Sequence, residues 1–386
     1  MSDPFVSDDA RLIADAARRL ATDHIAANAG PLDRREPEAR QAFLTNLKRL
    51  ADHGFMAINV PAHYGGSEAG PVAFALAIEA LARACSSTAV TVSVTNMVGE
   101  VIAAVGSEEQ KRAHLPRLAD GTYRAGAFCL TEAGAGSDPA GMTTRAVMDG
   151  NEWVLNGAKL YITSAEYAGL FVVWAVTDPE AGKGRGISCF LVPAGADGLV
   201  IGPAERKLGQ HGSATNAVHF EDCRLPADAL LGRLDGGFRI AAGELAGGRI
   251  GIAALALGIA RAAIDAGVAY AKERRQFGQP IAAMQGPQWM IADVETELEA
   301  ARLLILQAAA KKAAGEPFGR AASMAKLYAS EAAQRATYVA LQLHGGAGYL
   351  VDHPVERFAR DARITTIYEG TSEVQRMIIA RDVLAS

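Results

Sequence analysis

From Asp8 to about Gly121, apolar residues recur at three- and four-residue spacing, the period of helices that bury one face. Breaks are expected at Gly30-Pro31, at residues 61–66 (PAHYGG) and at Gly70-Pro71. The texture then changes. Between about Tyr123 and Gly232 the apolar residues come in short β-branched and aromatic runs: WVLNGAKLYITS, LFVVWAV, GISCFLVP and NAVHFEDC. Asp149-Gly150, Asn156-Gly157 and other glycine-rich turns separate them, which predicts an antiparallel β domain of roughly a hundred residues.

The helical period returns after Gly236-Gly237. Val294, Leu298, Ala301, Ile305 and Ala308 form one continuous stripe, which Gly315 and Pro317 stop. Further helical runs near residues 249–272, 321–343 and 372–385 are compatible with a bundle. The expected fold class is α+β in three blocks. These are an N-terminal α-helical domain over residues 1–122, a middle antiparallel β domain over 123–234, and a C-terminal domain like a four-helix bundle over 235–386.

Composition narrows the function classes. A chain of 386 residues, half apolar and 21% charged, has the makeup of a globular protein with substantial cores. Its 38 basic and 43 acidic side chains give a net charge of −5, with no lysine or arginine block, so neither nucleic acid nor an anionic membrane is an expected partner. Cys85, Cys129, Cys189 and Cys223 form no CxxC pair, which suits reduced thiols rather than a zinc site or disulfide framework. The opening residues, MSDPFVSDDARLIADAARRL, lack the pattern of a signal or transit peptide. No uninterrupted apolar run approaches the roughly 20 residues a bilayer requires. A cytoplasmic location without a membrane span is the expectation.

Candidate chemistry centres on ITTIYEGTSEVQR, residues 364–376. Ser372 as N-cap and Gln375 three residues on read as a capping box opening the last helix. Glu369 is not explained by the cap. It is either a solvated loop residue or a carboxylate aimed into a pocket. TEAGAGSDPAG, residues 131–141, lacks the third glycine of GxGxxG and lies in β and loop texture, which argues against a Rossmann turn. The eight histidines are dispersed with no HxxxH pair, so no metal is expected, and there is no GxSxG elbow. One well-placed acid beside glycine-rich approaches suggests a cofactor doing the difficult step.

Five motifs, FCLTEAGAGSD, WVLNGAKLYITS, ERRQFGQPI, QLHGGAGY and RDARITTIYEGTSEVQR, resemble in order those of the acyl-CoA dehydrogenases across essentially the whole chain. GRIGIAALALGIA (residues 248–260), with SVTN (93–96), is most similar to the short-chain and short branched-chain members. The resemblance implies FAD as cofactor, an acyl-CoA substrate, electron-transfer flavoprotein as acceptor, and a homotetramer built as a dimer of dimers. It makes Glu369 the base that removes the α-proton while flavin N5 takes the β-hydride. Burial against Ile367 and Tyr368 should raise its pKa toward that of a useful base. Gly370 would let the thioester pass close to the backbone, and the Glu369 N–H would help receive the developing enolate charge. Relatives that carry the base on the long helix place it immediately before Arg249; Gly248 cannot serve there.

The same resemblance assigns FAD contacts to Phe128, Leu130, Thr131, Gly136 and Ser137, and to Tyr161, Ile162 and Thr163 beside the flavin. Arg274, Gln276 and Phe277, with Gln342, Gly345 and Gly346, match segments that reach the FAD of a neighbouring subunit. Thr371, Ser372 and Glu373 match the helix start facing the cofactor. Ser137, Arg249, Leu255, Tyr368 and Gly370 are expected at the substrate, Leu255 shortening the acyl pocket toward C4-like or methyl-branched chains. Residues 86–96 hold no arginine for a dicarboxylate. An acyl-CoA oxidase or a desulfinase on the same scaffold is the alternative, and a DNA-binding homologue a remoter one that the charge disfavours.

Overall fold

A computed structural model describes residues 5–385. Six α-helices come first: α1 (Asp8–Leu20), α2 (Ala26–Asp33), α3 (Pro37–Asp52), α4 (Gly70–Ala84), α5 (Ser86–Val105) and α6 (Glu108–Ala119). α1 runs into α2 through a π-helical segment, Ala21–Ile25, and Pro31 lies inside the final turn of α2. The break expected at Gly30-Pro31 therefore falls three residues later, at Arg34, whose N–H closes the helix on the Gly30 carbonyl.

Eight strands follow: β1 (Gly126–Cys129), β2 (Arg145–Asp149), β3 (Glu152–Thr163), β4 (Leu170–Val176), β5 (Ile187–Pro193), β6 (Leu199–Ala204), β7 (Thr215–Pro226) and β8 (Leu230–Leu231). They form one sheet ordered β6-β7-β3-β2-β4-β5-β8, with β1 also paired to β4. Most ladders are antiparallel, as expected, but β1 runs parallel to β4, Gly126 opposite Leu170 through Cys129 opposite Val173. A parallel pair needs a long connection, and the β2–β3 hairpin supplies it. Along β4 the side chains alternate between two cores. Leu170, Val172 and Trp174 meet Val98, Ile102 and Leu118 of the helices, while Phe171 and Val173 meet Phe190, Val218 and Phe220 of the curled sheet. Two covered faces explain why LFVVWAV reads as an unbroken apolar run.

The remaining helices are α7 (Gly237–Glu273), α8 (Gln285–Ala313), α9 (Gly319–His344), α10 (Val355–Arg363) and α11 (Ser372–Ala385). Between α7 and α8 lies a small hairpin, β9 (Arg275–Gln276) and β10 (Gln279–Pro280). The stripe on α8 is buried as the spacing predicts, from Val294 to Ala308. α7 and α9 pack closely through small residues: a Cβ at Gly267 would lie 3.1 Å from Ala340 Cα. Residues of α3, α4 and α5 share one core with α7, α8 and α9, so the helices from both ends of the chain are continuous. By length and overall composition alone, α5 and α7 are long and apolar enough to span a bilayer, with mean hydropathies of 1.5 and 1.7, although polar residues interrupt both. Their apolar windows are 78% and 67% buried inside the fold, as in central core helices.

Candidate active site

The turn between α10 and α11 carries Glu369, and its backbone is unusual. Glu369 has φ +54° and Gly370 φ +89°, two left-handed residues in succession. Glycine takes this conformation freely and glutamate does not, so the turn needs support from its neighbours. Gln375 supplies part of it, donating to the carbonyls of Glu369 (3.2 Å) and Gly370 (2.9 Å). A Cβ at position 370 would come 2.6 Å from Gln375 Nε2. Lys326, on α9, supplies the rest: its Nζ donates to the Gly370 carbonyl at 2.7 Å.

These contacts correct the capping box expected at Ser372 and Gln375. Thr371 caps α11, its Oγ1 accepting from Val374 N at 3.3 Å. Gln375 faces back to the turn, and Ser372 is buried with an unpartnered hydroxyl. Thr371 wins the cap because the left-handed pair ahead of it brings its side chain over the first free N–H groups.

Glu369 Oε2 is shut off from solvent and has no hydrogen-bond partner among the described residues. It faces α7 where that helix has no side chain: a Cβ at Gly248 would lie 3.1 Å from Oε2 and 2.7 Å from Met97 Cε. Burial raises the Glu369 pKa from 4.5 to about 7, although Arg249 and Lys326 pull it down. The wall differs in part from the one expected. Tyr368 is half-buried and packs on the core, its hydroxyl accepting from Gln210 Nε2 at 3.3 Å, whereas Ile367 is 46% exposed. The 3₁₀ turn at Ile364–Thr366 directs Ile367 outward, and Met97 of α5 comes to the carboxyl side instead.

Arg249 is buried on the next position of α7, with Nη1 3.4 Å from Ser323 Oγ and its Nε unpartnered. Desolvation lowers its pKa and Glu369 offsets part of that. Further along the same faces, Ser93 Oγ is a buried orphan beside Gly251, where an added Cβ would also lie 3.1 Å from Phe74 Cζ. At the opposite end Glu100 pairs with Lys312 and accepts from Asn59 Nδ2 at 2.6 Å. Nearby Glu244 is held far above the usual carboxylate range, first by burial and then by Glu100. Leu255 is fully buried in the core farther along α7.

A second cluster lies on the sheet. Phe128 of β1 stacks at a tilt on Trp174, with ring centroids 4.3 Å apart. The loop after β1 is pinned from beneath by residues the sequence did not single out. Glu132 accepts from Thr143 N (2.6 Å), Thr144 N (3.0 Å) and Lys159 Nζ (2.8 Å). Lys159, itself fully buried, also donates to Leu130 O at 3.1 Å, and Leu160 N donates to Thr131 O at 2.8 Å. Above this anchor Gly136 and Ser137 are exposed, and a Cβ at Gly134 or Gly136 would meet nothing within 4 Å. On β3 a bulge puts Tyr161 at φ +60° with its side chain exposed, Ile162 inward and Thr163 half-buried. The buried Ser164 hydroxyl has no partner.

The third group is exposed. Arg274, Gln276 and Phe277 sit at the β9–β10 hairpin, where Phe277 has φ +53° and is 93% exposed. Gln342, Gly345 and Gly346 end α9 at the same end of the bundle, where His344 stacks on Tyr270 at 4.3 Å. Glu373 is exposed on the first turn of α11. Thus the chain gathers Glu369, Tyr368, Gly370, Arg249 and Gly248 in one region, the β1-loop and β3 residues on one sheet region, and leaves 274–277 with Gln342, Gly345 and Gly346 facing outward.

Both ends and the middle of the chain match descriptions of one family. Residues 7–122 match "Acyl-CoA dehydrogenase, N-terminal domain", 127–223 the middle domain and 235–384 the C-terminal domain. The chain belongs to the acyl-CoA dehydrogenases, FAD-dependent flavoprotein oxidoreductases. Among its relatives are the acryloyl-CoA reductase (NADH) of Anaerotignum propionicum, 46% identical over 88% of this chain and 86% of that one. The mitochondrial short-chain specific acyl-CoA dehydrogenase of Homo sapiens is 46% identical over 88% of this chain and 82% of that one. A chain from a structure of the electron transferring flavoprotein of Acidaminococcus fermentans superposes with a TM-score of 0.96 at 41% identity, covering 100% of both chains.

The residues present fit FAD. An open glycine-rich loop on a rigid ionic anchor, an exposed Tyr161 and orphaned hydroxyls at Ser164 and Ser372 offer the surface and polar groups that a flat, phosphorylated cofactor requires.

Proposed function

We propose that the chain dehydrogenates a short-chain or methyl-branched acyl-CoA to the 2-enoyl-CoA, with Glu369 as the base. The observation that carries this is an unpartnered, buried carboxyl with a pKa near 7, facing the bare backbone of Gly248. A carboxylate held near the working pH removes a proton far more effectively than one left in water. It loses no hydrogen bond on ionising to do so.

As the α-proton moves to Glu369, charge develops on the thioester oxygen. The Glu369 N–H donates to no other group among the described residues, which leaves it free to receive that oxygen. Gly370 keeps the approach clear, Arg249 counters the carboxylate from below, and Tyr368 closes the wall with Gln210 fixing its hydroxyl. FAD, when bound, supplies the two-electron acceptor for the β-hydrogen. Phe128, Leu130, Thr131, Gly136, Ser137 and Tyr161 to Thr163 would hold it, with Thr371, Ser372 and Glu373 at the start of α11.

The family resemblance puts Leu255 at the acyl pocket, and its buried side chain there would fill space that further methylenes need, each worth about 0.8 kcal/mol when buried. The relationship to the short-chain specific enzyme supports the same reading. The Acidaminococcus match supports electron-transfer flavoprotein as acceptor. Association of copies is supported by the apolar exposure of Phe277, Tyr349, Leu350 and Val351 near one end of the bundle, and the family resemblance makes the expected number four. Four free, buried cysteines suit a reducing compartment such as the cytoplasm.

Anaerobic addition of acyl-CoAs from propionyl to octanoyl, with isobutyryl, tests the reaction and its length preference together. Bleaching of the flavin should be fastest near C4 or with the branched chain. Absence of bleaching with every thioester overturns the proposal.

A further inference from the structure

Lys326 has no part in the reaction as derived above, yet it is 0% exposed. Its Nζ makes one hydrogen bond, to the Gly370 carbonyl at 2.7 Å, and no carboxylate lies within ion-pair distance among the described residues. An ammonium buried this way carries a large desolvation cost, seen in a pKa lowered by burial to about 8. Below that pH it still holds its proton, so a positive charge lies beneath the turn under working conditions. An uncharged donor such as glutamine would make a bond to the Gly370 carbonyl without the desolvation cost of a buried ammonium. The cost is therefore attached to something that only a charge there does.

What it faces is Glu369. That carboxylate is the first charge favouring the Lys326 ammonium, and Lys326 in turn favours the carboxylate. The other charged groups around the pair come from every neighbouring element. Arg249 lies on α7, Glu331 on α9 itself and Glu373 on α11, while Glu244 of α7 is influenced by Glu369, with Glu100 of α5 and Lys312 of α8 behind it. Only Lys326 joins that charge to a direct bond on the strained turn.

We propose that Lys326 is the positioning residue for Glu369: its ammonium locks the left-handed 369–370 turn through the Gly370 carbonyl and favours the carboxylate form at neutral pH. The inference rests on the reading of Glu369 as the base for its functional meaning, but its physical content is tested without turnover. In the FAD-loaded protein, the protonated-carboxyl infrared band of Glu369, identified by its loss in Glu369→Gln, is titrated without substrate. Lys326→Met removes charge and bond, Lys326→Gln keeps a donor but not the charge, and Lys326→Arg keeps the charge.

The midpoint should rise from about 7 by about one pH unit in both neutral variants and stay in place in Lys326→Arg. Turnover at pH 6 should then fall about tenfold in the neutral variants and recover toward pH 9, because the shift acts through the fraction ionised. A purely structural lysine would change thermal stability or FAD content and leave the midpoint unmoved; that result overturns the inference. If Lys326→Met does not fold, Lys326→Gln decides by the same readout. If Glu369→Gln turns over normally, the assignment of the base fails while the titration still judges Lys326.

Discussion

Replacing Glu369 by glutamine should make the protein more stable at alkaline pH and nearly inactive. The folded pKa of about 7 lies above the 4.5 of the unfolded chain, so between these values the folded state holds an extra proton. Stability attributable to this group therefore falls as pH rises from 4.5 to 7, and the full cost is present above 7. A rise from 4.5 to about 7 corresponds to about 3 kcal/mol against the charged form. That figure already contains the attraction of Arg249 and Lys326, so no separate correction for their loss applies. Glutamine has the same shape without the charge. It should gain up to about 3 kcal/mol over wild type at pH 8, several degrees in Tm, and nothing at pH 4.5. Turnover should fall by about 10²- to 10⁴-fold, the range for a lost general base. Thermal melts of FAD-loaded protein at both pH values, beside anaerobic flavin bleaching, make the measurement. An equal Tm change at the two pH values, or turnover within tenfold of wild type, refutes the reasoning.

Gly248→Ala places a methyl between Met97 and Glu369 Oε2, and should cut turnover at least about tenfold while FAD content stays constant; unchanged kcat would show that the carboxyl does not work across this gap. Lys159→Met strands Glu132 in the interior and should cost about 3–5 kcal/mol, read by urea denaturation, with FAD lost on gel filtration. Although burial opposes it, Lys159 holds Glu132 down to about 2, so the contribution of that carboxylate is complete above pH 4.5 and lost as pH falls through about 2. Leu255→Ala should destabilise by about 2–5 kcal/mol and raise the hexanoyl-to-butyryl ratio of kcat/KM about tenfold; an unaltered ratio removes Leu255 from the acyl pocket.

What the sequence revealed depended on periodicity. The α8 stripe from Val294 to Ala308 is a local pattern, and it is buried as its spacing requires. Ser372 looked like a cap because local rules cannot see that Glu369 and Gly370 turn left-handed, which passes the cap to Thr371. Parallel pairing of β1 with β4 is set across some forty residues and leaves no mark in either strand. Lys326 escaped notice as one lysine in an alanine-rich helix, since its partner is forty-four residues away. A signal was present nonetheless: Ala322, Ala325, Ala329 and Ala333 define the buried face, and Lys326 stands on it where an apolar residue belongs. Lys159 carried the same signal, an inward position on a strand whose neighbours Trp153 and Leu155 are core.

The 37 residues of α7 make an unbroken rod of about 55 Å. Gly248 sits about a third of the way along it, about 16 Å from its start, and the outward hairpin at Arg274–Phe277 follows its far end, about 39 Å on. The chemistry and the outward loop thus share one stiff lever. α9 runs beside α7 over this span, with Gly267 against Ala340 and Arg249 against Ser323, so a strain at the far tip would reach the carboxyl only by moving both helices together.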